Sequence, residues 1–106
     1  MRNLLIKYQG TPCGILTELD DSKGYQFCYL PDYNGPKISL TLPLQTSPYT
    51  FTTFPAFFDG LLPEGIQLEA LLRQRKIDQH DYMAQLAIVG EDLIGAVTAH
   101  PLPEAP

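Results

Sequence analysis

The first half of the chain consists of short segments rich in apolar residues and bounded by turn residues, which is typical of β-strands. Residues 3–9 and 13–19 form two such segments, separated by a turn that contains Gly10 and Pro12. The polar run 20–24 then predicts a hairpin loop. Because connections this short join neighbouring strands, the pattern favours an antiparallel meander.

Two further strands are predicted before the middle of the chain. Residues 25–30 alternate so that Tyr25, Phe27 and Tyr29 share one face, which is typical of a core face. A turn signal at Asn34-Gly35 precedes residues 38–44. In that segment the alternation predicts a fourth strand with Ile38, Leu40 and Leu42 on one side.

In the second half of the chain, the spacing of apolar residues changes from that of strands to that of helices. Residues 43–55 are rich in Pro and Thr and form a link, and residues 56–62 then make a short helical turn that ends at Pro63. Proline is well suited to the first turn of a helix, so the next helix is expected to begin at Pro63. Its buried stripe consists of Leu68, Leu71 and Leu72.

A third helix and a last strand complete the pattern. Asp78 is the predicted N-cap, with Asp81 three residues later, and Gly90 is the predicted C-terminal stop. The apolar stripe between them contains Tyr82, Leu86 and Val89. Residues 93–100 read as the final strand, and 101–106 as a flexible tail.

These elements predict a single small α+β domain over residues 1–100, with a mostly antiparallel sheet of about five strands and two or three helices. The pattern does not determine the strand order. A chain of 106 residues is long enough for one modest core and too short for two.

Charge and hydropathy then narrow the class of protein. A formal net charge of -5 argues against a protein that binds nucleic acid directly, because phosphate contacts depend on clustered Lys and Arg. No apolar run reaches the roughly 20 residues that cross a bilayer, and no leader pattern follows Met1. We therefore expect a cytoplasmic protein with no membrane contact.

Residues that could carry chemistry are few. Cys13 and Cys28 match no zinc spacing and are expected to be reduced, partly buried thiols, while His80 and His100 lack ligand-like neighbours. The chain contains neither a nucleotide-binding glycine loop nor a nucleophile elbow. Glu91 and its neighbour Asp92 are expected to form a polar turn. We therefore expect no catalytic site, no metal and no cofactor, and the chain is predicted not to be an enzyme.

Two longer motifs carry a family resemblance. "FFDGLLPEG" at 57–65 and "KIDQHDYMAQLAIVGEDLIGAV" at 76–97 resemble the N-terminal subdomain of HipA-type toxin kinases, and "GILTEL" and "YQFCYLPDY" fit its earlier strands. The resemblance extends over nearly the whole chain. The sequence departs from a HipA protein at Pro106, where such a protein would continue into its kinase core.

A chain limited to this subdomain resembles the HipS small subunits of tripartite HipBST toxin-antitoxin systems. The resemblance implies an antitoxin that binds and inhibits a separate HipT-type serine/threonine kinase, within a larger complex that includes a HipB-type helix-turn-helix DNA-binding protein. The alternative is that the sequence is the N-terminal subdomain of a full-length HipA-type kinase. A small enzyme is a third and weaker hypothesis.

The expected partner-binding surface is the turn and first helical residues over 60–69. On a helix that starts near Pro63, Ile66 lies about 160° from the leucine stripe and so faces away from the core. Ile66 is the predicted anchor, although an isolated exposed apolar residue needs no special explanation. The predicted contact residues are Gly60, Leu62, Pro63, Glu64, Gly65, Ile66 and Glu69.

Overall fold

One antiparallel sheet and three α-helices make up the fold in the computed structural model, which describes residues 2–20, 24–93 and 95–103. A short 3₁₀ turn follows the last helix. The elements are β1 (Asn3–Tyr8), β2 (Thr11–Glu18), β3 (Tyr25–Tyr29), β4 (Tyr49–Phe51), α1 (Ala56–Asp59), α2 (Gly65–Arg75), α3 (Tyr82–Val89), the 3₁₀ turn (Gly90–Asp92) and β5 (Val97–Leu102). This arrangement confirms the predicted α+β class.

The five strands lie in the order β4-β3-β2-β1-β5, and each neighbouring pair is antiparallel. The first three strands form the predicted meander, whereas β5 returns from the end of the described chain to lie beside β1. The three helices α1, α2 and α3 lie between β4 and β5 in the chain. In the sheet, β4 and β5 are the two edge strands.

The core consists of apolar side chains from the sheet and from α1 and α3. Phe27 is fully buried and its ring contacts that of Phe58 in α1, with centroids 5.6 Å apart. Gly14 makes room for this ring, because a Cβ there would lie 2.6 Å from a Phe27 ring carbon. The buried apolar residues are Leu4, Ile6, Cys13, Leu16, Phe27, Tyr29, Ile38, Leu42, Phe58, Leu62, Met83, Leu86, Val97 and Ala99.

The predicted fourth strand over 38–44 is wrong, because this segment makes a tight turn and β4 instead forms at Tyr49–Phe51. The Leu42 N–H donates to the Ser39 carbonyl oxygen at 3.0 Å, which closes the turn. Ile38 and Leu42 are buried as predicted, but Leu40 points outward and is 87% exposed. The alternating pattern does not indicate a strand here, because Ile38 and Leu42 reach the core from the two ends of a turn.

The helix boundaries also differ from the predicted ones. Pro63 and Glu64 precede α2, which begins at Gly65, so proline lies just outside the helix rather than in its first turn. The N-cap of α3 is Asp81 instead of Asp78, and its carboxylate accepts a hydrogen bond from the Ala84 N–H at 3.2 Å. Asp78 caps an earlier turn, where its side chain accepts from the His80 N–H at 2.7 Å.

Gly90 does not end the helical path, which continues as the 3₁₀ turn with an ordinary right-handed φ of -59° at this residue. Glu91 and Asp92 lie in that polar turn between helix and strand, as predicted. The last strand begins at Val97 rather than at residue 93, and it includes Pro101 and Leu102, which the sequence places in the tail. Residues 21–23 of the predicted hairpin loop and residues 104–106 of the tail lie outside the described residues.

Candidate partner-binding surface

The turn between α1 and α2 is held at its start by the core. In α1 the Phe58 side chain is fully buried, and the N–H groups of Leu61 and Leu62 donate to the carbonyl oxygens of Phe58 and Asp59 at 3.0 and 3.1 Å. The Leu62 side chain then enters the core and is only 9% exposed. The chain therefore reaches Pro63 in a fixed position.

The turn then reverses direction at Glu64 and Gly65. Glu64 has an extended backbone and is the N-cap of α2, but its side chain makes no capping hydrogen bond. Gly65 has a φ of +59°, a conformation that residues with a Cβ rarely adopt. Glycine at this position thus sets the angle at which α2 leaves the turn.

Ile66 is displayed at the start of α2. Its side chain is 84% exposed, which confirms the prediction that it faces away from the core. A large apolar side chain exposed beside a backbone of fixed geometry has the features of an interface anchor.

The whole of α2 is weakly attached to the rest of the domain. None of its residues is buried, and the predicted stripe of Leu68, Leu71 and Leu72 is only partly covered. At its C-terminus Lys76 has a φ of +55°, and the N–H groups of Lys76 and Ile77 both donate to the Leu72 carbonyl oxygen. The helix therefore depends mainly on its own hydrogen bonds and on partial contacts.

A groove of about 580 Å³ separates this surface from the end of α3. Leu61 and Leu71 form one wall, and Ile88 and Leu93 form the other. The helical period of each segment gives no sign of this groove, because its two walls come from separate parts of the chain, residues 60–75 and 88–93. Its lining residues are Gly60, Leu61, Leu62, Pro63, Gln67, Leu71, Arg75, Ile88, Val89, Asp92 and Leu93.

The structure separates the predicted contact residues into two groups. Gly60, Glu64, Gly65, Ile66 and Glu69 are exposed, and Pro63 is half-buried. Leu62, by contrast, is a core residue in the free chain. Its side chain positions the turn and also lines the groove, so its contact with a partner stays a prediction.

The two cysteines differ in exposure. Cys13 is fully buried, and burial raises the pKa of its thiol to about 11, so the thiol is protonated at neutral pH and is a poor nucleophile. The Cys28 Sγ lies 3.5 Å from the Tyr29 carbonyl oxygen, to which it can donate. Both cysteines are free thiols.

Metal-binding and membrane-spanning features were also sought in the described ranges 2–20, 24–93 and 95–103. Within them, no group of three or more His, Cys, Asp or Glu side chains is arranged to hold a metal ion. None of the helices in those ranges has the length and apolar character needed to cross a membrane.

Comparison with solved structures identifies the class of protein that this fold defines. The structure matches one described as the N-terminal domain of HipA toxin, with a TM-score of 0.77 and 28% sequence identity. The match covers 99% of this chain and 96% of the other. The fold is thus that of a toxin N-terminal subdomain.

The chain belongs to the HipA N-terminal domain family, whose model matches residues 4–100. It is 37% identical over 84 residues to an uncharacterized protein of Haemophilus influenzae. That match covers 79% of this chain and 77% of the Haemophilus influenzae protein. It is also 31% identical over 106 residues to Y4dM of Sinorhizobium fredii, described as a putative kinase. That match covers 91% of this chain but only 26% of the longer relative.

Proposed function

We propose that this chain is the antitoxin subunit of a tripartite toxin-antitoxin system, in which it binds and inhibits a separate HipT-type serine/threonine kinase. The observation that carries the proposal is the 84% exposure of Ile66 at the start of a helix that has no buried residue. A HipB-type DNA-binding protein joins the same complex, and this chain contacts the operator only through its partners.

The lengths of the relatives support a subdomain that acts on a kinase. The same domain accounts for 77% of the Haemophilus influenzae protein, yet for only 26% of the putative kinase of Sinorhizobium fredii. A domain that occurs both as most of a protein and as part of a longer one can use one surface in both settings. In this chain we propose that the surface meets a partner in trans.

The exposed surface of α2 suits such a partner. Burying Ile66 against the kinase would remove apolar area from water, which stabilises association. The turn at Gly65 is already fixed by the core on one side, so little conformational entropy is lost on docking. Glu64 and Glu69 are exposed beside Ile66 and can pair with basic residues of the kinase.

Inhibition follows from where this surface lies on the kinase. We place the turn over 60–69 near the mouth of the kinase active site, where it obstructs closure of the kinase or entry of its substrate. The chain itself contributes no phosphate-binding loop and no catalytic residue. Its effect is therefore steric.

Replacing Ile66 by Asp tests the proposal. The variant should fold like the parent because the side chain faces solvent, but it should bind the kinase more weakly by about 1–2 kcal/mol, the range for an interface anchor. Co-expression with the kinase measures protection of cells, and a thermal melt of the free variant measures its fold. Ile66→Ala should show a smaller loss in the same direction.

Thr11→Asp is the matched control, because Thr11 is exposed and lies outside the 60–69 turn and α2. It adds the same charge and should protect cells as the parent does. If Ile66→Asp melts like the parent and also protects fully, the contact surface is elsewhere.

A second candidate function is that of the N-terminal subdomain of one long HipA-type kinase, and the match to 26% of a putative kinase favours it. The reading frames around the gene distinguish the two candidates. An antitoxin requires a separate kinase frame and a helix-turn-helix frame beside this one. A single frame that continues through Pro106 into a kinase core would refute the antitoxin proposal.

A further inference from the structure

A second surface, distinct from α2, is marked by the absence of charge. From Ile38 to Phe58 the sequence contains no Asp, Glu, Lys or Arg, although charged residues make up 18% of the chain. This segment includes β4, which lies at the edge of the sheet. Proteins usually protect an edge strand with charged side chains, and the side chains of β4 are Tyr49, Thr50 and Phe51.

Tyrosine hydroxyls hold this segment in place. The Tyr29 hydroxyl accepts a hydrogen bond from the Ile38 N–H at 3.1 Å and donates to the Leu42 carbonyl oxygen, so one side chain fixes both ends of the turn. The Tyr49 hydroxyl donates to the Pro43 carbonyl oxygen just beyond it. The loop is therefore held by the sheet at several points.

Leu40 is at the tip of this fixed turn. The Ser39 hydroxyl accepts from the Thr41 N–H at 3.2 Å, which orders the backbone on either side of Leu40. Leu40 is 87% exposed, and Leu44 farther along the loop is 46% exposed. An exposed leucine on an ordered turn can enter a partner's pocket with a small loss of conformational entropy.

A groove lies beside this turn, and its lining residues all fall within 41–57. Its volume is about 410 Å³, and its lining includes Thr41 and Leu42 of the turn, Phe51 of β4, and Phe57 of α1. The residues that line this groove are all uncharged, and the first charged side chain beyond them is that of Asp59 at the end of α1.

We propose that Leu40 and the uncharged surface around it form a second docking site, which fits an apolar, uncharged patch of the partner kinase with a pocket for the leucine side chain. This inference rests on the proposed function, because the kinase is its occupant. The occupant must be uncharged because a buried charge opposite residues 38–58 would lose its hydration without gaining an ionic partner. Complementarity here is between two surfaces that both lack charge.

Binding measurements with the kinase encoded beside this chain, inactivated at its catalytic aspartate, test the inference. Calorimetry of Leu40→Asp should show affinity reduced by about tenfold or more, as expected for an anchor placed opposite an apolar pocket. Leu40→Ser, which adds no charge, should lose a smaller factor and replaces Leu40→Asp if that variant does not fold. Thr11→Asp is again the matched control and should bind like the parent.

The possible outcomes separate this inference from the proposed function. If the parent binds and both Leu40 variants bind equally well, the second docking site is refuted while the antitoxin function stands. If Leu40→Asp and Ile66→Asp each weaken binding while Thr11→Asp does not, both surfaces contact the kinase. If the parent itself does not bind the kinase, the proposed function and the second docking site are both wrong.

Discussion

Asp81 joins the start of α3 to Arg2, the residue just before β1. Its carboxylate accepts from the Ala84 N–H and from the Arg2 guanidinium, whose Nη2 is 2.8 Å from Oδ1. The same guanidinium donates from Nε to Glu18 Oε1 at 2.7 Å. We expect Asp81→Ala to lower the free energy of unfolding by about 1–2 kcal/mol, the range for loss of an N-cap.

Denaturant unfolding measures this effect, and Asp78→Ala is the matched control because the sequence predicts that residue as the cap. The Asp78 side chain accepts a local hydrogen bond from the His80 N–H, and the bonds to its carbonyl oxygen remain in the alanine variant, so its replacement should cost less than that of Asp81. An equal or larger loss for Asp78→Ala would contradict the observed capping arrangement.

The stability contribution of Asp81 should also depend on pH. Burial alone would raise its pKa, but the hydrogen bonds from Arg2 and from the Ala84 N–H outweigh burial and lower the pKa below its ordinary value of 3.8. A carboxyl group with a lowered folded pKa stabilises the fold above its unfolded pKa, and the effect is lost as pH falls through the folded pKa. The stability difference between the parent and Asp81→Asn should therefore shrink from pH 7 to about pH 3. A difference that stays constant over this range would contradict the assigned ion pair.

Gly90 is required for space rather than for an unusual backbone angle. A Cβ at this position would lie 2.2 Å from the Ala99 carbonyl oxygen of β5. Gly90→Ala should therefore destabilise the fold by about 1–3 kcal/mol, as overpacking does. The control is Gly60→Ala, because a Cβ at Gly60 would meet nothing closer than 3.5 Å and φ is -65°. Thermal unfolding compares the two variants, and equal destabilisation would show that close packing at Gly90 is not the cause.

Local sequence predicted some of these single residues and missed others. The outward direction of Ile66 follows from helical periodicity and is confirmed. The role of Asp81 was missed because the deciding partner, Arg2, is 79 residues away in the chain. Gly90 looked like a helix stop, but the reason for glycine is the approach of β5, which no local pattern shows.

Among the elements, α2 should be the easiest to open. None of its residues is buried, whereas α3 buries Met83, Gln85 and Leu86. Hydrogen exchange of the free chain should therefore be faster in α2 than in α3 by about tenfold or more, since local opening costs least where burial is smallest. Addition of the kinase should slow exchange in α2. Equal protection of α2 and α3 in the free chain would contradict this view of the helix.

Element types were predictable wherever local pattern and core contacts agree. The first three strands form in the segments predicted for them, and α3 follows its apolar period. The fourth strand was misplaced because the Tyr29 hydroxyl and the Ser39–Leu42 hydrogen bond turn the chain where alternation suggests extension. The strand order was not predicted because β5 lies beside β1, and tertiary contacts rather than the local pattern determine that position.

For the whole molecule, the resemblance found in the sequence is confirmed as membership of the HipA N-terminal domain family. The exposed part of the predicted contact surface lies together on the turn before α2 and at the start of that helix. The uncharged surface around Leu40 was visible as a run of residues without charge, but its exposure depends on the turn. Its partner remains a prediction, as does that of Ile66.

Titration of the purified kinase with this chain tests the antitoxin function most directly. Phosphorylation by the kinase is followed with radiolabelled ATP while the chain is added up to and beyond an equimolar amount, with Ile66→Asp and Thr11→Asp run in parallel. We expect the parent and Thr11→Asp to abolish phosphorylation near one equivalent and Ile66→Asp to require a large excess. A kinase that remains fully active with a molar excess of the parent chain would contradict the proposed function.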